Sequence, residues 1–210
     1  HQRRNKMNFL SFKNWVLTFT LIVFSTGAFA GLAPDELVRK TADDVISAIK
    51  SDKDIQNGNK QKIYQLAEEK ILPSFDFERI SRLVLGKAWR KATDQQKKQF
   101  KAEFRSLLLR TYSIALSKYK DQGIEIKPMR MKPSDEIVTV KTEIVQDGAQ
   151  PIKVNYALAK NEDSWLVFDI VIEGVSLVTN YRSQFSSEIR KGGMDSLNQK
   201  LAKKNKSNKD

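Results

Sequence analysis

Asp169 is the only ionisable residue in the apolar run from Trp165 to Ile172, and Glu173 follows that run directly. A lone carboxylate in such a setting is what a general base in a sheet-lined pocket requires. A base of this kind needs a second polar group converging on the same space, and the sequence offers Tyr156 and Tyr112. Burying a carboxylate without a partner is costly, so a structural hydrogen bond from Asp169 into the turn Glu173-Gly174-Val175-Ser176 competes with the catalytic reading and is the favoured one. The carboxylate pairs Asp43-Asp44, Glu68-Glu69 and Asp52/Asp54 are the remaining candidates for a metal site. Sequence neighbours on a helix point apart and no ligand-rich loop accompanies them, so no metal site is expected. The only His is His1 and there is no Cys, which removes thiol nucleophiles, Ser-His-Asp relays and the usual nitrogen and sulfur zinc sites.

The charge balance restricts partners as well. Of 210 residues, 37 are Lys or Arg and 25 Asp or Glu, for a formal net charge of +12. Residues 1–30 carry four of the basic residues and no acid, and residues 198–210 carry five against Asp210 alone. The intervening body holds 28 basic and 24 acidic side chains. An excess confined to the ends need not form a binding face, so nucleic acid is disfavoured as a partner.

The segment 1–30 reads as a leader. From Met7, Lys13 supplies a positive region, Trp15 to Phe24 is a ten-residue run broken only by Thr18 and Thr20, and Ala28-Phe29-Ala30 precedes Gly31. This pattern predicts a secretory signal peptide cleaved after Ala30, since such a run is about half the roughly 20 residues a bilayer-spanning helix needs. The expected mature protein is a soluble monomer in a bacterial periplasm or outside the cell. Lacking Cys in an oxidising compartment, it relies on its core rather than on disulfides.

Helical spacing marks the elements that must position these residues: Pro34 to Lys50, a second helix through Ile63 and Ile71 ending before Pro73, and a short third helix capped by Asp76 and ending at Gly86. The longest starts at Thr93, where Gln96 completes a capping box, and runs through Phe100, Phe104, Leu107 and Tyr112 to Gly123. The period then changes to two. Strands are expected at Ile124 to Met131, an edge because of Pro128; at Glu136 to Gln146; at Ile152 to Leu158 after the turn Asp147-Gly148; and at Trp165 to Ile172, covered on both faces. Val175 to Lys191 and Met194 to Leu201 return to helical spacing. The result is an α+β domain over residues 31–197, a four-stranded antiparallel sheet with about six helices packed on it. The lysine-rich stretch 198–210 is expected to be a disordered tail.

Asp76-Phe77, Val84-Leu85-Gly86, Trp89-Arg90, Ala92-Thr93 and Gln96 with Phe100 and Phe104, then Trp165-x-x-x-Asp169, Glu173-Gly174-Val175-Ser176-Leu177, Asn180-Tyr181-Arg182 and Phe185, closely resemble the MlaC family over about residues 34–202. These are periplasmic phospholipid-binding proteins, also called toluene-tolerance auxiliary transport proteins, of a system that maintains outer-membrane lipid asymmetry. The resemblance implies a deep apolar pocket for acyl chains, no enzymatic activity and no cofactor beyond bound phospholipid as cargo. It also implies docking to an outer-membrane lipoprotein complex and to an inner-membrane ABC transporter complex.

A carrier of this kind must replace water around two acyl chains, about 30 methylenes at roughly 0.8 kcal/mol each and on the order of 20 kcal/mol in all. Under the resemblance, the candidate pocket residues are Val138, Val140, Ile144, Val154, Tyr156 and Leu158 on the sheet, opposed by Leu83, Val84, Leu108, Tyr112, Val175 and Val178. An ordinary filled core is the alternative for each. Arg79, Arg82, Arg90 and Arg182 are headgroup candidates through charge-assisted bonds to phosphate, set against a plain surface role. The competing functions are a cone-shaped pocket enzyme using Asp169 or Glu173, and a basic structural protein of the envelope.

Overall fold

Residues 31–207 are described by the structure, a computed structural model. The leader and its cleavage site lie outside the described residues. The stripe beginning at Pro34 forms α1 (Pro34–Ser51), with Pro34 at the helix start and Asp35 and Glu36 in the first turn, where the dipole favours acids. Asp52 then caps the one-turn α2 (Lys53–Gln56), and α3 (Lys60–Leu66) follows. That helix does not stop before Pro73. It widens into a π-helical turn over Ala67–Ile71 and tightens into a 3-10 turn over Leu72–Ser74, where Pro73 sits near the start and its missing N–H is not needed.

Asp76 caps α4 (Phe77–Leu85) by accepting from the Arg79 N–H at 2.9 Å. After the short α5 (Lys87–Lys91), Thr93 and Gln96 form the expected capping box at the head of α6 (Asp94–Ser117): the Gln96 N–H donates to Thr93 Oγ1 at 3.1 Å, and the Thr93 N–H to Gln96 Oε1 at 3.0 Å.

The sheet has five strands rather than four, in the order β1 (Gly123–Ile126), β2 (Ile137–Val145), β3 (Ile152–Asn161), β4 (Ser164–Ile172) and β5 (Val175–Ser176), each antiparallel to its neighbour. β1 is the edge and ends at Ile126, before Pro128, which cannot donate to a ladder. The fifth strand comes from the Glu173-Gly174 turn, whose two residues both have positive φ (47° and 82°) and fold Val175 back onto Ile172 as a tight hairpin.

A bulge in β4 decides which of its apolar residues share a face. Ala157 pairs with Asp169 while Leu158 pairs with Val167, so Phe168 is extra. Val167 and Ile170 therefore share one face, and Phe168 packs into the helical core instead.

The two helices expected after β5 are both present, as the two arms of α7 (Leu177–Ser207). Gly193, at φ 73° and ψ −173°, breaks it into two arms; that conformation suits glycine alone. Of the stretch expected to be a disordered tail, residues 198–207 continue the second arm. Met194, Leu197 and Leu201 are buried there, and Asn198 and Asn205 donate to the carbonyls of Gln96 and Glu103 on α6. Apolar residues at helical spacing outweigh the lysines, which take the solvent side.

The helical half is held by an aromatic cluster. Phe104 lies 5.2 to 5.8 Å from the ring centroids of Phe77, Phe100, Tyr181 and Phe185. Burial, with the Tyr112 hydroxyl alongside, pushes the Tyr181 phenol well above the usual tyrosine range. Among the described residues, no helix is long and apolar enough to cross a membrane.

Candidate functional site

Strand register places one row of side chains after another on the inner face of the sheet. The deepest row is Val138, Leu158 and Val167, all buried, and next comes Val140, Tyr156 and Ile170. A third row holds Ile126, Thr142, Val154 and Ile172, and the outermost holds Ile124, Ile144 and Ile152. Leu37 and Val38 of α1, with Trp165, close the deep end. Val140 in the second row and Thr142 and Val154 in the third are buried too, so exposure is confined to part of the face. Tyr156, Ile170, Ile144 and Ile172 are half-buried, and at the rim Ile152 is 42% and Val175 56% exposed. Thr142 brings no free polar group to this wall, because its hydroxyl donates to the Val154 carbonyl at 2.7 Å. A wall that is apolar apart from the Tyr156 hydroxyl, and that its own chain leaves partly uncovered, is unfavourable in water at about 25 cal/mol per Å² of apolar surface.

Of the twelve candidate pocket residues, Val138, Val140, Ile144, Val154, Tyr156 and Leu158 share this face. The structure does not bring the other six to it as a group. Val84, Leu108 and Val178 belong to the helical core, Leu83 is half-buried on α4, Tyr112 is 36% exposed beside Tyr181, and Val175 stands at the rim. The helical core and the sheet core meet at Phe75. Ile124, Ile126, Thr142, Ile152, Trp165, Val167, Ile170 and Ile172 complete the face, with Leu37 and Val38 of α1 at its deep end, and none of these is among the pocket candidates read from sequence. The bulge hides the alternation of β4, and the stripe of α1 does not say which layer it covers.

The four arginines lie elsewhere. Arg79 stacks over the Phe168 ring at 4.8 Å, Arg82 pairs with Glu78 on its own helix at 4.0 Å, and Arg90 is exposed on α5. Arg182 lies against Gly86, where a Cβ would come within 3.1 Å of its guanidinium and where φ is +54°. The positive φ of Gly86 favours glycine there, and the arginine lies close on it.

Asp169 takes the structural role. Its Oδ2 accepts from the Ser176 hydroxyl at 2.5 Å, and its Oδ1 accepts from the N–H groups of Ile170 at 2.9 Å and Val178 at 3.1 Å. Ser176 in turn accepts from the Thr179 N–H at 3.0 Å, so the two side chains together tie β4 to the N-terminus of α7. Glu173 is occupied as well, accepting from the Lys153 N–H at 2.5 Å. Asp169→Ala is expected to lower stability by about 2 kcal/mol, through loss of the cap and of charge-assisted bonds to half-buried donors. Urea denaturation measures it, and a change below about 0.5 kcal/mol would show that the cap does not hold α7 in place.

The acidic pairs considered for a metal hold cations of the chain itself. Lys62 lies 2.9 Å from Asp52 and 2.7 Å from Asp54, Lys40 lies 2.6 Å from Asp44, and Arg105 lies 3.8 Å from Glu68. Asp54 and Asp52 hold the Lys62 ammonium above its ordinary range, and Lys62 holds Asp52 below the usual carboxylate range.

Two recesses open on the surface. One of about 300 Å³, at the open edge of β2, shares Val138 with the deep row but is rimmed by Arg130, Asp135 and Lys141. The other, of about 190 Å³, lies between Tyr64 and Ile114. Neither coincides with the apolar wall.

A family model described as MlaC protein matches residues 39–203. The intermembrane phospholipid transport system binding protein MlaC of Haemophilus influenzae is 26% identical over 202 residues, 93% of this chain and 94% of that protein. The toluene tolerance protein ttg2D of Pseudomonas putida is 24% identical over 180 residues, 85% of this chain and 83% of that protein. Among solved structures, the phospholipid-binding protein of Ralstonia solanacearum, determined in complex with a phospholipid, is similar with a TM-score of 0.80 and 35% identity. That match covers 85% of this chain and all of the other.

Proposed function

The chain belongs to the MlaC family, and from that premise we propose that it carries a diacyl phospholipid across an aqueous compartment, holding the acyl chains against the inner face of its sheet. The observation that supports this reading most directly is the half-covered apolar wall from Tyr156 and Ile170 out to Ile152 and Val175. Acyl chains laid on it would remove two apolar surfaces from water at once. The reading extends to export through a leader cleaved after Ala30, residence in the periplasm, and exchange of lipid with an outer-membrane lipoprotein complex and an inner-membrane ABC transporter complex. The protein breaks no bond in its cargo. Among the described residues, the carboxylates in and next to the apolar run of β4, Asp169 and Glu173, are engaged with backbone and Ser176 donors.

Solvent extraction of protein purified from its native envelope, followed by mass spectrometry, tests this. The expected extract contains diacyl phospholipid in near-stoichiometric amount with several headgroups represented, and the intact protein has a mass beginning at Gly31. Protein that emerges free of lipid, and takes up none from phospholipid vesicles, would rule out the carrier reading. A strict preference for one headgroup would show that a convergent polar site exists after all.

A further inference from the structure

We propose that the Tyr156 hydroxyl is the polar anchor of the cargo site, donating a hydrogen bond to an ester carbonyl of the bound diacyl phospholipid. The inference rests on the carrier reading and adds to it a residue that sets how deep the lipid sits and which linkage is preferred. Tyr156 lies in the second row of the inner face, between Val140 and Ile170, with Val154 and Leu158 two residues away along its own strand. These neighbours offer its hydroxyl no side-chain acceptor, and none of the hydrogen bonds among the described residues engages it. Burial pushes its phenol above the ordinary tyrosine range, so the group is a neutral donor at physiological pH, while the side chain is only half-buried and its hydroxyl is not among the closed-off, unpaired polar atoms of the described residues. The nearby hydroxyl of Thr142 is already committed to Val154. Tyr112 and Tyr181 meet each other in the helical half, and Tyr119 lies beside Lys50.

A lipid laid on this face would take the hydroxyl, which has no partner in its own chain, out of water, and that is costly unless the lipid itself satisfies it. The chemistry of a diacyl phospholipid then narrows the partner. Tyr156 is four residues in from Ile152, about 13 Å along the strand. No cation stands in the rows around it, so a phosphate there would be stripped of water without compensation. Between the phosphate and the hydrocarbon, the two ester carbonyls are the only good acceptors such a lipid has.

The experiment compares two lipids that differ only in those carbonyls. Purified protein, stripped of lipid, is loaded from mixed vesicles of dipalmitoyl phosphatidylglycerol and its dihexadecyl ether analogue in equal amounts, and the bound lipids are quantified by mass spectrometry. The unaltered protein is expected to favour the diester by about three- to tenfold, the contribution of one neutral hydrogen bond. Tyr156→Phe should bring the ratio close to one. Because the readout is a ratio within one sample, partial loss of folded protein does not change it. A ratio that Tyr156→Phe leaves untouched overturns the proposal, and so does an unaltered protein with no preference. If the unaltered protein binds neither lipid, the carrier reading fails first and takes this inference with it.

Discussion

Phe104→Ala is expected to destabilise the protein by about 3–5 kcal/mol, the usual range for removing a fully buried phenyl ring. Phe104 is 1% exposed and touches four rings contributed by α4, α6 and α7, two of them edge-on at 5.2 and 5.3 Å. The ring occupies the point where the three helices of this half converge, so no single neighbour can move in to fill the space without leaving another. Edge-to-face pairs also contribute about 0.5–1.5 kcal/mol beyond area burial, and two such pairs end together. Since a domain of this size has about 5–15 kcal/mol to lose, the variant should be marginal at physiological temperature. Denaturant midpoints would show it. A loss under about 1.5 kcal/mol would mean that the cluster adapts, and that the helical half is packed more loosely than its geometry indicates.

The stabilising half of the molecule was the more legible in sequence, for a physical reason. Caps and capping boxes are local, and Thr93 with Gln96 and Asp76 with Arg79 make the bonds their spacing predicts. Strict alternation in β2 and β3 likewise assigns Val138, Val140, Val154, Tyr156 and Leu158 to one face, because a strand has only two. What escaped depends on registration between elements. An extra residue at Phe168 switches the parity of β4, so Ile170 and Ile172 join the inner face although simple alternation from Val167 would exclude them. The destination of an apolar helix stripe is not local either. Leu108 and Val178 have the spacing of pocket-facing residues and lie in the helical core, while Leu37 and Val38 close the deep end of the sheet face. Lysine-rich composition misrepresented residues 198–207, where Leu201 and Asn205 decide the outcome by packing on α6. The arginines show the same dependence: composition supplies the cations, but the fold sets Arg79 over Phe168, Arg82 beside Glu78 and Arg182 against Gly86, away from the inner face of the sheet.

The second large effect separates floor from wall on the inner face. Val140 has no exposure and sits against the deep row, so Val140→Trp overpacks a filled region and should lower stability by about 1–3 kcal/mol whether or not lipid is present. Ile170 is its neighbour across Tyr156, in the same row but half-buried. Ile170→Trp should therefore find room over the face where acyl chains are proposed to lie, with less than about 1 kcal/mol lost from the lipid-free protein and lipid retention reduced by tenfold or more, since each methylene displaced forfeits about 0.8 kcal/mol. A charge at the same place, Ile170→Glu, should reduce retention further still by drawing water onto the wall, at a smaller stability penalty than Val140→Glu, because a half-covered side chain can reach solvent and a closed one cannot. Thermal unfolding of the stripped proteins, set beside lipid recovered per folded molecule, resolves the two sites. The informative result is the contrast between them: equal destabilisation at both positions with lipid content unchanged would return Ile170 to the packed core and leave the acyl chains some other wall.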